Sequence, residues 1–97
     1  MRRVTVQYFD GCPNWKVLDE RLRDLAGEHD LAIDHRRVET PEEAERVGFR
    51  GSPTLLIDDV DPFATGDEPV GLACRVYLTD DGPQGSPTVE QLRAVLA

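Results

Sequence analysis

The strongest constraint on this chain lies in its first fifteen residues, where an alternating strand runs almost directly into a helix through Gly11-Cys12-Pro13. Residues 3–9 place Val4, Val6 and Tyr8 on one side and Arg3, Thr5, Gln7 and Phe9 on the other, and their β-branched content favours a strand. From Pro13 to about Glu28, Trp15, Leu18, Leu22, Leu25 and Ala26 recur at helical spacing, while Asp19 and Arg23 are placed to pair at i,i+4 on another face. Proline suits the first helical position because the N–H it lacks would be unpaired there, and Gly27 ends the segment. Cys12 is thereby held where unpaired N–H groups and the positive end of the helix dipole meet, a setting in which thiols ionise more easily than free cysteine. Cys12 is the candidate nucleophile. The plain alternative is a small buried filler, a common place for a free cysteine.

A chain of 97 residues builds one domain, here 1–97, with a single modest core. No apolar run approaches membrane-spanning length. Met1-Arg2-Arg3 has the charge of a leader, but Val4–Phe9 is too short and too polar for a signal core, so a cytoplasmic address is expected. Nineteen acidic against eleven basic residues give a net charge of -8, which argues against nucleic acid and anionic membrane surfaces as partners. The two cysteines form no Cys-x-x-Cys and no Cys/His pattern, and His29 and His35 are remote from both in sequence. No metal site is expected, and Asp58, Asp59 and Asp61 lack the spacing of a calcium loop.

Ile33–Glu39 alternates as a strand with one wet side, and Thr40-Pro41-Glu42-Glu43 is a capping box opening a short helix that Gly48 stops. Thr54–Ile57 is an apolar run of strand length. Ala73–Leu78 alternates, and these two are expected to pair antiparallel. Thr88-Val89-Glu90-Gln91 opens a last helix with Val89, Leu92, Val95 and Leu96 inward. The expected fold is α/β, ordered βαβ-α-ββα, with a four-stranded mixed sheet flanked by helices and a long insertion, residues 58–72, between the last two strands. Gly-Ser-Pro-Thr occurs at 51–54 and 85–88, but one copy leads into a strand and the other into a helix cap, so it is not a repeat.

With these elements in place the chain resembles the thioredoxin-like superfamily over essentially its full length. The segment Val47-Gly48-Phe49-Arg50-Gly51-Ser52-Pro53-Thr54-Leu55-Leu56 looks like the signature that precedes the family's cis-proline. The resemblance implies that the Ser52–Pro53 bond is cis and faces Cys12, with Pro13, Trp15, Ser52 and Pro53 as substrate-contact residues. It implies a thiol oxidoreductase acting on a protein or small-molecule thiol or disulfide, with no bound cofactor and with glutathione or another low-molecular-weight thiol as reductant. The chain departs from the family at Trp15, which stands where a second cysteine would release a mixed disulfide. Cys12-Pro13-Asn14-Trp15 looks like a glutaredoxin motif with its last position lost. Asp80-Asp81-Gly82 is only a loose echo of the glutaredoxin pattern that holds glutathione. The chain is also similar to small thioredoxin-like proteins grouped with alkylmercury lyases, from which no carbon–mercury cleavage is inferred here.

Four further readings are open at this level. Trp15 shares a helical stripe with Leu18 and Leu22, which suits core or rim packing, or it shields Cys12 from water. Asp10 is a solvated turn residue or a carboxylate opposing thiol ionisation. The insertion is either a lid over Cys12 anchored by Phe63 or a solvated loop. Cys74 is the candidate resolving thiol, but a regular 54–58/74–78 hairpin sets it beside Asp58, at the far end of the sheet, as a buried strand residue. Only an insertion that returns toward the active end, or a shifted register, brings it to Cys12. The competing functions are a thiol oxidoreductase, a non-catalytic binding module that kept the groove beside Pro53, and soft-metal or organometal capture by converging Cys12 and Cys74 sulfurs.

Overall fold

The computed structural model describes residues 2–64, 66 and 68–96. They form β1 (Arg2–Tyr8), α1 (Asn14–Leu25), β2 (Leu31–Arg37), α2 (Pro41–Val47), β3 (Thr54–Ile57), β4 (Tyr77–Thr79), β5 (Gly82–Gln84) and α3 (Val89–Leu96). The architecture is α/β. A three-stranded mixed sheet has the order β2-β1-β3, and β4 and β5 form a separate two-stranded sheet. β1 is central, parallel to β2 from Arg2 opposite Leu31 to Tyr8 opposite Arg37, and antiparallel to β3 from Val4 opposite Ile57 to Gln7 opposite Thr54. Because parallel neighbours need a crossover, α1 fills the β1–β2 connection. The second strand begins two residues earlier than its hydropathy suggests, since the whole of β1 offers it partners.

Val4, Val6, Leu55 and Ile57 turn to one side of the sheet and meet Leu18, Leu22 and Leu25 of α1 and Leu92 and Leu96 of α3. Phe9, Val38, Ala44, Val47 and Phe49 build a smaller cluster with Leu72 around α2. Thr5 and Gln7 are buried as well, as befits a central strand covered on both faces. Capping proceeds as the sequence indicates. Thr40 Oγ1 accepts from Glu43 N at 3.1 Å, and Gly48 closes α2 with φ +69°. At α3 the exchange is reciprocal, Gln91 N to Thr88 Oγ1 at 3.1 Å and Thr88 N to Gln91 Oε1 at 3.0 Å.

The expected antiparallel pairing of 54–57 with 73–78 is not what the chain forms, and two tight turns explain the difference. Directly after β3, Asp58 and Asp59 both take positive φ, 51° and 69°. Ile57 and Val60 exchange backbone hydrogen bonds of 2.8 and 3.0 Å across them, the geometry of a type I′ hairpin turn. The reversal that would have served 73–78 is thus taken by Val60. Further on, Thr79 faces Gly82 across Asp80-Asp81, with Gly82 at φ +93°, so β4 pairs with β5 instead. Hence the described residues give three sheet strands plus a hairpin rather than one four-stranded sheet.

The insertion between these turns returns to the opposite end of β3. Gly71 N donates to Phe49 O at 3.1 Å, Ser52 N to Ala73 O at 2.7 Å and Arg75 N to Ser52 O at 2.9 Å. Residues 71–75 therefore run beside 49–52, with a parallel bridge between Ser52 and Cys74. Phe63 packs against the main core and meets the Tyr77 ring edge-on, the centroids 5.5 Å apart. Among the described residues no helix is long and apolar enough to cross a membrane.

Candidate functional site

Cys12 sits between β1 and α1, where Pro13 already has helical dihedrals, φ -75° and ψ -12°, one position ahead of the first helical residue. Its N–H donates to Phe9 O at 3.2 Å, which folds the loop back and turns the side chain into the protein. The residue is 0% exposed. Its thiol donates to the carbonyl oxygen of Ser52 at 3.4 Å. Ser52 precedes the Ser52–Pro53 peptide bond, which is cis. Ser52 is a junction: its Oγ accepts from Phe9 N at 3.4 Å, its N–H reaches Ala73, and its carbonyl also accepts from Arg75 N. One residue thus ties the Cys12 loop to the returning segment 73–75.

That segment brings Cys74 to Cys12. The Cys74 thiol donates to Cys12 Sγ at 3.0 Å across 62 positions of sequence, and both cysteines are free thiols. The shared hydrogen bond with Cys12 pushes the Cys74 thiol up from its ordinary value, and desolvation and the charge of Cys12 act in the same direction. A disulfide has its sulfurs about 2.05 Å apart, so the two are placed for covalent union after a small approach. The buried strand position expected for Cys74 is corrected here, since Cys74 is exposed. Hydropathy turns Cys74, Val76 and Leu78 inward, but the observed alternation is the reverse. Val76 and Leu78 are 63% and 80% exposed, whereas Arg75 and Tyr77 are buried. A one-residue change of phase exchanges the two faces of a strand.

Arg75 causes the inversion. Its Nη1 contacts Asp61 Oδ2 at 2.6 Å, with the two side chains 4% and 9% exposed, and lies 3.5 Å from Thr54 Oγ1. Its guanidinium carbon stands 4.7 Å from the centre of the Tyr77 ring. The Tyr77 hydroxyl donates to the Pro53 carbonyl, and burial pushes the phenol up, with Arg75 opposing that shift. A buried charge needs a partner, so Asp61 of the insertion and Arg75 bring each other inside. Gly51 allows the close approach: at φ +108° a Cβ there would lie 3.0 Å from Arg75 Cβ and 3.1 Å from Ala73 O.

The other candidate residues divide. Pro13 is exposed beside Cys12. Ser52 and Pro53 are fully buried and hold the sulfurs' surroundings rather than presenting a surface in this state. Trp15 is half-buried, stacked on Tyr8 with centroids 4.2 Å apart and edge-on to His35 at 6.0 Å. Those contacts match rim packing against the core. Asp10 is exposed and paired with Arg37 at 2.9 Å. Among the described residues no group of three or more His, Cys, Asp or Glu gathers as a metal cage. Sequence reasoning missed Asp61, Arg75, Tyr77 and Gly51. The available signal was a lone arginine inside an otherwise apolar alternation.

Comparison with known proteins gives no family model that matches the chain and no curated protein that resembles it significantly. The chemistry assigned to this site therefore rests on its geometry.

Proposed function

We propose that this chain is a thiol–disulfide oxidoreductase of thioredoxin-like fold whose redox couple is Cys12 and Cys74. The observation that carries the reading is the 3.0 Å approach of two free sulfurs from segments 62 residues apart. The Asp61–Arg75 ion pair, the close approach at Gly51 and the hydrogen bonds of Ser52 hold 73–75 against the Cys12 loop. Two dithiol protons and two electrons pass to a substrate disulfide, which leaves as two thiols while a Cys12–Cys74 disulfide forms. A thiol such as glutathione, abundant in the reducing cytoplasm expected for the chain, restores the pair. The fold assignment is supported by the β1-α1-β2 crossover, the cis bond at Pro53 ahead of an antiparallel β3, and the closing helix α3. The second cysteine missing at Trp15 is supplied from Cys74 instead.

The test is turnover of a peptide disulfide with glutathione as reductant. Cys12→Ser and Cys74→Ser should each lose about a hundredfold, and the double variant no more than either alone, as expected of residues acting as one unit. Equal rates for wild type and the double variant would leave a binding module, whose partner binding survives Cys12→Ser. Capture of a soft metal draws on the same convergence of sulfurs. It would show as stoichiometric protection of both thiols from alkylation with no disulfide turnover.

A further inference from the structure

Resting on the Cys12–Cys74 couple proposed above, we infer that the sulfur which meets the substrate is Cys74, and that the buried Cys12 is the internal resolving thiol. This reverses the roles that the helix-start position suggests. Access decides the order. A substrate disulfide must present a sulfur along the line of the bond being broken, and Cys12, at 0% exposure, offers no open approach. Cys74 is exposed, on the side of its segment that also carries Val76 and Leu78, because Arg75 and Tyr77 are anchored inside by Asp61 and the Pro53 carbonyl.

The steps balance on that assignment. The Cys74 thiol gives its proton to solvent, and its sulfur attacks a substrate disulfide RS–SR, forming Cys74–S–SR and releasing RS⁻. The Cys12 sulfur then attacks the Cys74 sulfur already beside it and gives its proton to the departing substrate sulfur, which leaves as the second thiol, RSH, with the Cys12–Cys74 disulfide formed. The protein is oxidised by two electrons and the substrate is reduced to two thiols. Reactivation runs through the same intermediate in reverse. An external thiolate attacks the exposed Cys74 sulfur, and the departing Cys12 sulfur takes the proton that this external thiol gave up and donates it to the Ser52 carbonyl at 3.4 Å. A second external thiolate then attacks the outer sulfur of the Cys74 mixed disulfide, so that Cys74 leaves as a thiol and the two external thiols leave as one disulfide. Cys74 also takes part as a donor to Cys12 before reaction, so removal of its proton is a requirement of the first step.

The experiment uses Cys12→Ser and Cys74→Ser of the full chain with an aromatic disulfide, 5,5′-dithiobis(2-nitrobenzoate), followed by absorbance and intact mass. Cys12→Ser should form a stable mixed disulfide at Cys74. Cys74→Ser should react at Cys12 about a hundredfold more slowly while folded, limited by opening of the fold. Unfolded in urea, the two variants should react alike, which shows that burial and not chemistry slows Cys12. Rapid labelling of folded Cys74→Ser, with little at Cys74 in Cys12→Ser, would overturn the order of the sulfurs. Wild type separates that failure from failure of the couple itself. If the order alone is wrong, wild type still releases two aryl thiolates and ends as an internal disulfide; if the couple is wrong, it ends carrying stable aryl adducts.

Discussion

Around the two sulfurs single side chains hold single distances. Gly51 has no room for a methyl group, with φ +108° and Arg75 Cβ 3.0 Å from where it would stand. Gly51→Ala should cost about 1–3 kcal/mol through overpacking and strain and slow closure of the Cys12–Cys74 disulfide, read by urea unfolding and by the oxidation rate. An unchanged rate would separate Gly51 from the sulfur geometry. A second prediction concerns pH. The folded state holds the Cys74 proton more tightly than the unfolded chain, chiefly through its hydrogen bond with Cys12. That contribution to stability is complete below the ordinary thiol range and is lost as pH rises through the raised folded value. Cys12→Ala removes the largest cause, so the pH midpoint for alkylating Cys74 should move down. A midpoint that stays or rises would show that the thiols do not share a proton. What the sequence displayed at this scale was uneven. Cys12 stood out through its strand–proline–helix pattern and the cis bond at Pro53 through the resemblance, whereas the approach of Cys74 to Cys12 stayed one of two open readings because Arg75 inverts the phase of its segment.

Between elements, the ion pair of Asp61 with Arg75 ties the insertion to the returning segment 73–75. Asp61→Ala leaves the guanidinium buried without its carboxylate and should cost about 3–5 kcal/mol, measured by denaturant unfolding. A loss under about 1 kcal/mol, the range of an exposed pair, would mean that water reaches the site. The hairpin β4–β5 is held to α3 by Gln91, whose Nε2 donates to Leu78 O at 2.8 Å while its Oε1 completes the helix cap. Legibility followed the range of the interactions. Helices and the parallel β1–β2 unit are written in local periodicity and in crossover length. The path of 58–75 depends on a pair of left-handed aspartates and a buried ion pair, and neither leaves a periodic trace.

For the molecule as a whole, joining Cys12 to Cys74 would close a loop across 62 positions that contains α1, β2, α2 and β3. A cross-link of that length restricts the unfolded chain by up to about 4 kcal/mol, so the oxidised protein should melt above the reduced one by up to roughly 16–32 °C, at about 4–8 °C per kcal/mol for a domain of this size. The bond would pin the returning segment to the start of α1, joining the proposed redox site to the stability of the whole chain. The most direct measurement is a redox titration of the wild-type protein in glutathione buffers, with rapid alkylation and peptide mass analysis at each ratio. The account predicts that both thiols vanish together in a single two-electron transition and that one cross-linked pair of peptides carrying Cys12 and Cys74 appears. Independent glutathione adducts on the two cysteines, with no cross-linked peptide at any ratio, would contradict it.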